Sequence, residues 1–249
     1  MAAIIQQHYF MRTDINSKLK LGQLSKRYYC PESEVDLASL TRFEKVYTKI
    51  VETPNEGAAD AALDIAEAIE RCVEERGRCV IGFGAGKGVL EVYDELVRLY
   101  FADKVSFAKV VAFNISELGF GQQATESQNN FRRLQERLFN KIDIDPSNVY
   151  TIDEGATKEN VHRYCKQYET LIDSFGGIDL LVCQLTKNGG LAFNEPGSQS
   201  TSSCRLVLLS NDTRQRIADS YQCEVAPETA VTLGMSNLLA ARKVICVAW

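Results

Sequence analysis

The sequence predicts an α/β fold, a mostly parallel sheet with helices on both faces. Two observations carry this. Short runs of near-continuous Val, Ile and Leu recur along the chain, as in CVIGF (79–83), KVVAF (109–113) and IDLLVC (178–183), and stretches of helical periodicity stand between them. Strands this uniformly apolar are buried on both faces, which is the habit of parallel sheets covered by helices.

The elements follow in order. Residues 1–43 are polar and charged without a clear period and contain Pro31, so they read as an N-terminal arm or extension, and 44–249 read as the α/β domain. KVYTKIV (45–51) has strand character. From Asn55 to Glu75 the residues Ala58, Ala61, Ala62, Ile65, Ala66, Ile69, Cys72 and Val73 recur at helical spacing. CVIGF is a strand that runs into the glycines 82, 84, 86 and 88, and VLEVYDELVRLYF (89–101) is the helix after it. KVVAF is a strand, SQNNFRRLQERLF (127–139) a helix, and NVYTI (148–152) a strand. KENVHRYCKQYETLIDSF (158–175) is helical, with Val161, Tyr164, Cys165, Tyr168, Leu171 and Ile172 on one face. IDLLVC and RLVLLS (205–210) are strands, and NDTRQRIADSY (211–221) starts a helix with Asn211 or Asp212 as its N-cap. TAVTLG (229–234), a short helix through Ala241 and the strand KVICVA (243–248) close the chain.

Composition excludes several classes. The formal net charge is −5 with acids and bases interspersed, so no basic footprint for nucleic acid is present; Lys18, Lys20, Lys26 and Arg27 read as a solvated face. No apolar run reaches the roughly 18 residues of a membrane span. The first residues lack the charged lead-in and long apolar core of a signal peptide, and a soluble, cytoplasmic protein is expected. The eight cysteines include no C-x-x-C pair and several sit in apolar runs, so they read as buried free thiols. His8 and His162 are the only histidines, too few for a zinc site. No metal is expected.

Ligands of parallel sheets bind outside the carboxyl ends of the strands. The loops 84–88, 114–121 and 184–197 are therefore the places for chemistry. In FGAGKG (83–88) the glycines let a backbone approach a phosphate at a helix start. The stricter motifs fail. A P-loop needs glycine where Ile81 stands and Ser or Thr where Gly88 stands, and the dinucleotide fingerprint would place its last glycine on Lys87 or Val89. A plain tight turn and a sugar-phosphate loop, intact or decayed, both remain open.

Several stretches in one order resemble the glucosamine-6-phosphate deaminase/isomerase family. VSFAKVVAFNISELG (105–119) is similar to its S-F-x-x-V-x-x-F-N-x-D-E-Y segment, LAFNEPGS (191–198) to its H-I-A-F-N-E-P loop, NDTRQ (211–215) to its H-D-T-R segment, and APETAVTLGMSNLLAARKVICV (226–247) to its closing segment. RYCKQYETLI (163–172) resembles the helix of its mobile region, and the likeness covers roughly residues 45–249. It implies a Rossmann-like, doubly wound sheet, a sugar-phosphate site at the strand ends, and no metal or organic cofactor.

Position by position, the resemblance implies that the chemistry is missing. The family's proton-moving aspartate falls on Ser116, beside a retained Glu117. The relay aspartate falls on Asn188 and the relay histidine on Gly190, and the relay glutamate alone survives, as Glu195. General acid–base work needs groups that exchange a proton near neutral pH, which serine, asparagine and glycine do not supply. The phosphate loop falls on Ala85-Gly86-Lys87-Gly88 without its hydroxyls, a phosphate-binding lysine falls on Glu228, and the phosphate-binding arginine is retained as Arg214. Side chains of Cys183, Gln184, Leu185, Thr186 and Lys187 fill positions where the family has a glycine-rich stretch. Asn114, Gly189 and Asn194 complete the implied ligand-binding set; Asn194, Glu195 and Pro196 could equally shape a turn, and Arg214 could pair with Asp212 or Glu195.

Two functions are thus expected. One is a non-catalytic member with a degenerate sugar-phosphate cleft and a regulatory, ligand-binding or subunit role. The alternative is an enzyme of altered chemistry built on Glu117, Glu195, Lys87 and Arg214. The family continues past the position of Trp249 with a further helix and strand, so either the N-terminal arm, a second copy or another polypeptide is expected at that sheet edge.

Overall fold

The computed structural model describes residues 33–43, 46–119, 129–152 and 160–249. Most of the expected N-terminal arm lies outside the described residues. Its last part is a helix, α1 (Glu34–Thr41), capped by the Ser33 hydroxyl, which accepts the Asp36 N–H at 3.1 Å. The strand expected at 45–51 is absent: residues 46–51 are irregular, and Val46 and Tyr47 are exposed. Strand propensity expresses packing against neighbours, and among the described residues no strand pairs with this segment.

The helix α2 (Pro54–Arg76) begins where the sequence supplies a Thr53 cap and a proline in the first turn, and ends at Gly77, whose φ of 76° needs a residue without a side chain. Its buried stripe of Ala58, Ala61, Ala62, Ile65, Ile69 and Cys72 is the one its spacing predicted. Beyond it run β1 (Cys79–Phe83), α3 (Leu90–Phe101), β2 (Val110–Asn114), β3 (Ser116–Leu118), α4 (Asn130–Arg137), β4 (Val149–Tyr150) and α5 (Val161–Ser174). The chain then forms β5 (Leu180–Gln184), β6 (Arg205–Leu208), α6 (Asn211–Tyr221), β7 (Thr229–Thr232), α7 (Met235–Leu239) and β8 (Lys243–Val247).

Five strands form one parallel sheet in the order β4-β2-β1-β5-β8. The α/β reading therefore holds. β1 and β2 are buried along their whole length, and the core divides between the two faces of the sheet. One cluster gathers Ile65, Phe83, Tyr93 and Leu96 under α2 and α3, and the other gathers Val111, Phe113, Tyr168 and Ile172 under α5. A second sheet, β3-β7-β6, is antiparallel. It starts one residue after β2, so a single break at Ile115 turns the chain from one sheet into the other. No helix among the described residues is long and apolar enough to cross a membrane.

The order places β1 centrally, with β2 on one side and β5 on the other. Connections leaving β1 and β5 therefore diverge, and a crevice opens at their carboxyl ends.

Candidate functional site

That crevice is a cavity of about 760 Å³. Its floor is the loop after β1. The Gly84 N–H donates to Val182 O at 2.8 Å, and the buried Tyr93 hydroxyl donates to Gly84 O at 2.5 Å, so the loop is tied to β5 and to α3. Beyond this tie, Gly86 and Lys87 line the cavity. Gln184, at the end of β5, lies across the loop: its Oε1 accepts the Gly88 N–H at 2.8 Å. A Cβ on Gly86 would stand 2.5 Å from that same oxygen, so a side chain here would have to displace the Gln184 amide.

The acid–base positions gather around the same space. Ser116, Asn188, Gly190, Asn194 and Glu195 all line the cavity. The loop 186–190 is a closed turn. The Gly190 N–H donates to Thr186 Oγ1 at 2.9 Å, and that hydroxyl lies 2.6 Å from Asn188 Oδ1. A Cβ at Gly190 would meet Asn194 O at 2.8 Å and Thr186 Oγ1 at 3.0 Å, so this turn has no room for a side chain where the resembled family carries its histidine. Glu195 sits beside the start of α6, where Oε1 accepts the Ser210 hydroxyl at 2.7 Å and the Ser210 N–H at 3.3 Å. Burial works to raise the Glu195 carboxyl, but hydrogen bonds from Thr213 and Ser210, with the Arg216 guanidinium nearby, outweigh it and hold the group below its ordinary value. It is an anion at neutral pH.

Glu117 has a different use. It is 4% exposed and is absent from the cavity lining. Its carboxylate accepts the N–H groups of Asn130 (2.8 Å), Phe131 (2.9 Å) and Leu118 (2.9 Å) and the Asn114 side-chain amide (3.0 Å). The carboxylate thus satisfies the first N–H groups of α4, which no residue within the helix can do. Asn114 belongs to this network too, since its Oδ1 accepts the Ser116 N–H at 3.1 Å. Neither residue faces the ligand space.

The cations are redistributed relative to the sequence expectation. Arg214 does not line the cavity; it reaches Ala226 O at 3.5 Å and pairs with Glu228 at 3.8 Å, neither Asp212 nor Glu195 being its partner. Arg216, two residues on and so on a different face of α6, lines the cavity and is the residue that pairs with Asp212, at 3.1 Å. Arg133 on α4 lines it as well. The Arg133 guanidinium donates to Ala85 O and to Ser220 O and Oγ, each at 3.2 Å, and sits 3.5 Å from the centre of the Tyr221 ring. Gly88 and Gly189 also stand outside the lining. His162 is exposed on α5 and does not contribute.

One polar atom of the cavity wall is unsatisfied. Asn194 is 3% exposed, and its amide nitrogen donates to Leu233 O at 2.8 Å and Leu191 O at 3.2 Å. Two carbonyl partners fix the amide's orientation, which leaves Oδ1 as a buried acceptor with no donor among the described residues.

Among the described residues one cluster has the ligand types of a metal site, Cys72, Cys79 and Asp179. It lies away from the cavity. The Asp179 carboxylate is already held by Arg76 (2.5 Å), Arg242 (2.7 Å) and the Val80 N–H (2.9 Å), and two guanidinium groups at that spot oppose a cation.

In the sequence Gln184 is legible only as bulk in the way and Asn194 only as a ligand-binding position, while Arg133 and Arg216 are not among the expected site residues. The two arginines reach the cavity through tertiary packing of α4 and α6, which periodicity does not encode.

The chain resembles known proteins over most of its length. The profile of glucosamine-6-phosphate isomerases/6-phosphogluconolactonase matches residues 52–249. A glucosamine-6-phosphate deaminase-like protein of Bacteroides thetaiotaomicron is 38% identical over 241 residues, which is 96% of this chain and 36% of that protein. This chain therefore spans about a third of that relative. A glucosamine-6-phosphate deaminase of Caenorhabditis elegans is 34% identical over 199 residues, covering 79% of this chain and 73% of the relative. Among solved structures, one described as a monomeric glucosamine-6-phosphate deaminase superimposes with a TM-score of 0.70 at 28% identity over 78% of each chain. The 6-phosphogluconolactonase of Trypanosoma brucei shares the fold, with a TM-score of 0.60 at 21% identity over 79% of each chain.

Proposed function

The chain belongs to the glucosamine-6-phosphate isomerase/6-phosphogluconolactonase family, and from that premise we propose that it is a non-catalytic member, which holds a sugar-type ligand in its cavity and serves a regulatory or subunit role. The carrying observation is the turn at 186–190. Asn188 and Gly190 occupy it without a titratable group, and the turn has no space for a side chain at 190. Glu195 is left as an ionised carboxylate with no histidine among the described residues of the cavity wall. Each missing general acid or base costs roughly 10²–10⁴ in rate, and a lone survivor of a relay acts little better than none.

The alternative, an enzyme working through Glu117, Glu195, Lys87 and Arg214, has weaker support. Only Lys87 and Glu195 of the four line the cavity, while Glu117 is committed to α4 and Arg214 to the side of Glu228. Ammonia release from glucosamine 6-phosphate separates the two readings. The proposal expects no release above the uncatalysed background; turnover near or above about 1 s⁻¹, ordinary for an enzyme, overturns it.

The subunit role rests on β8. Among the described residues it has a strand neighbour on one side only, and Val244 is 43% exposed along it. An edge of this kind accepts another strand, from a second copy, another polypeptide or the N-terminal arm. A stable monomer with a freely mobile arm in a sizing measurement would remove that part of the proposal. A domain boundary near residue 44, supported by a family match that begins at residue 52, and the cytoplasmic location expected from the sequence belong to the same proposal.

A further inference from the structure

The reading of the cavity as a ligand site leaves open which chemical groups it admits. The loop after β1 has the ingredients of an anion cradle. Gly86 and Gly88 keep the backbone bare, Lys87 faces the cavity, and a helical segment starts at Lys87 and continues as α3. N–H groups at such a start attract oxygen anions. Yet the Gly88 N–H is already taken by Gln184 Oε1 at 2.8 Å, and that oxygen lies so near the loop that even a methyl group on Gly86 would collide with it at 2.5 Å.

We propose that Gln184 is a specificity-determining residue: its amide oxygen fills the anion cradle at Gly86–Gly88 and excludes phosphate from this loop. The inference rests on the reading of the cavity as a ligand site and narrows it to unphosphorylated polyhydroxy compounds. A phosphate oxygen would have to break the Gly88 bond and move the amide aside, against a competitor that is part of the same chain and always present.

Inorganic phosphate is the direct probe, titrated against the full chain while the backbone amides of Gly86 and Gly88 are followed by heteronuclear NMR. The wild type is expected to show no saturable shift at these amides. Gln184→Ala and Gln184→Ser, which shorten the side chain at a half-buried position, are expected to show one, with phosphate affinity raised about two- to tenfold, the worth of one ordinary hydrogen bond. Gln184→Glu keeps an oxygen in the cradle and adds a negative charge, so it is expected to stay silent. Equal phosphate affinity in wild type and Gln184→Ala overturns the proposal, and so does the absence of any shift in both shortened variants. Unphosphorylated glucosamine, titrated in parallel, tests the underlying reading separately. Without shifts at Thr186 and Asn194 the ligand-binding reading falls, while the phosphate titration still decides the role of Gln184.

Discussion

Replacing Glu117 by glutamine discriminates an anchoring carboxylate from a catalytic one. In the wild type Oε1 accepts the Asn130 and Leu118 N–H groups, and Oε2 accepts the Phe131 N–H and the Asn114 amide. Glutamine keeps one acceptor oxygen and turns the other into an NH₂ group. Two donors on that side then face a donor, with the residue 4% exposed and little water to replace what is lost. Hydrogen bonds to a charged group contribute about 1.5–3 kcal/mol, and a buried unsatisfied donor costs about 1–3 kcal/mol. Because the two losses share one site they do not sum, and we expect a destabilisation of about 3 kcal/mol. For a chain of this size that is a fall of roughly 6–12 °C in Tm. Urea unfolding followed by circular dichroism measures it. A loss below about 1 kcal/mol would refute the anchoring role, because two donors cannot lose their acceptor so cheaply in a buried site.

Other predictions follow from neighbouring contacts. Gly190→Ala forces its new Cβ within 2.8 Å of Asn194 O, so it should destabilise by about 1–3 kcal/mol, and Gly190→His should create no ammonia-releasing activity; thermal unfolding and the ammonia assay read the two. Arg133→Ala removes contacts to Ala85, Ser220 and the Tyr221 ring and should cost about 2–3 kcal/mol in urea unfolding. Glu195 is held below its ordinary value, so its contribution to stability is complete above that value and disappears as pH falls through the folded one; Glu195→Gln should flatten the stability profile over that acidic range, as pH-dependent melting would show. Arg214→Ala should leave glucosamine binding unchanged within about twofold by NMR titration, since Arg214 stands outside the cavity wall.

The fold was legible where burial dictates composition. CVIGF and KVVAF are apolar throughout because both faces of a central parallel strand are covered, and these became β1 and β2. The stripe along α2 was likewise written in residue types, whereas its Thr53 cap and Gly77 end emerge only from the structure. KVYTKIV misled because its β-branched residues signal a surface that fits a sheet, not the presence of a neighbouring strand. The antiparallel sheet was missed because β3 is three residues long and follows β2 almost at once. The candidate site divides the same way. Asn188, Gly190 and Glu195 could be placed by motif order, and they do meet in one cavity. Direction of a side chain is not in the motif: Glu117 turned toward α4, and Arg214 yielded its place in the cavity wall to Arg216. Gln184 could be noticed in the sequence only as bulk; its bond to Gly88 depends on β5 ending beside the loop of β1.

The central claim, that this cavity no longer moves protons on a sugar, is tested most directly by proton NMR in heavy water. Glucosamine 6-phosphate and unphosphorylated glucosamine are each held with a stoichiometric amount of the purified chain, and the signal of the C2 proton is followed in both. Even a single reversible proton abstraction would exchange that proton for deuterium. The account predicts an undiminished C2 signal and no fructose 6-phosphate. Loss of the C2 signal, or conversion to fructose 6-phosphate and ammonia, would show a working base in the cavity and contradict it.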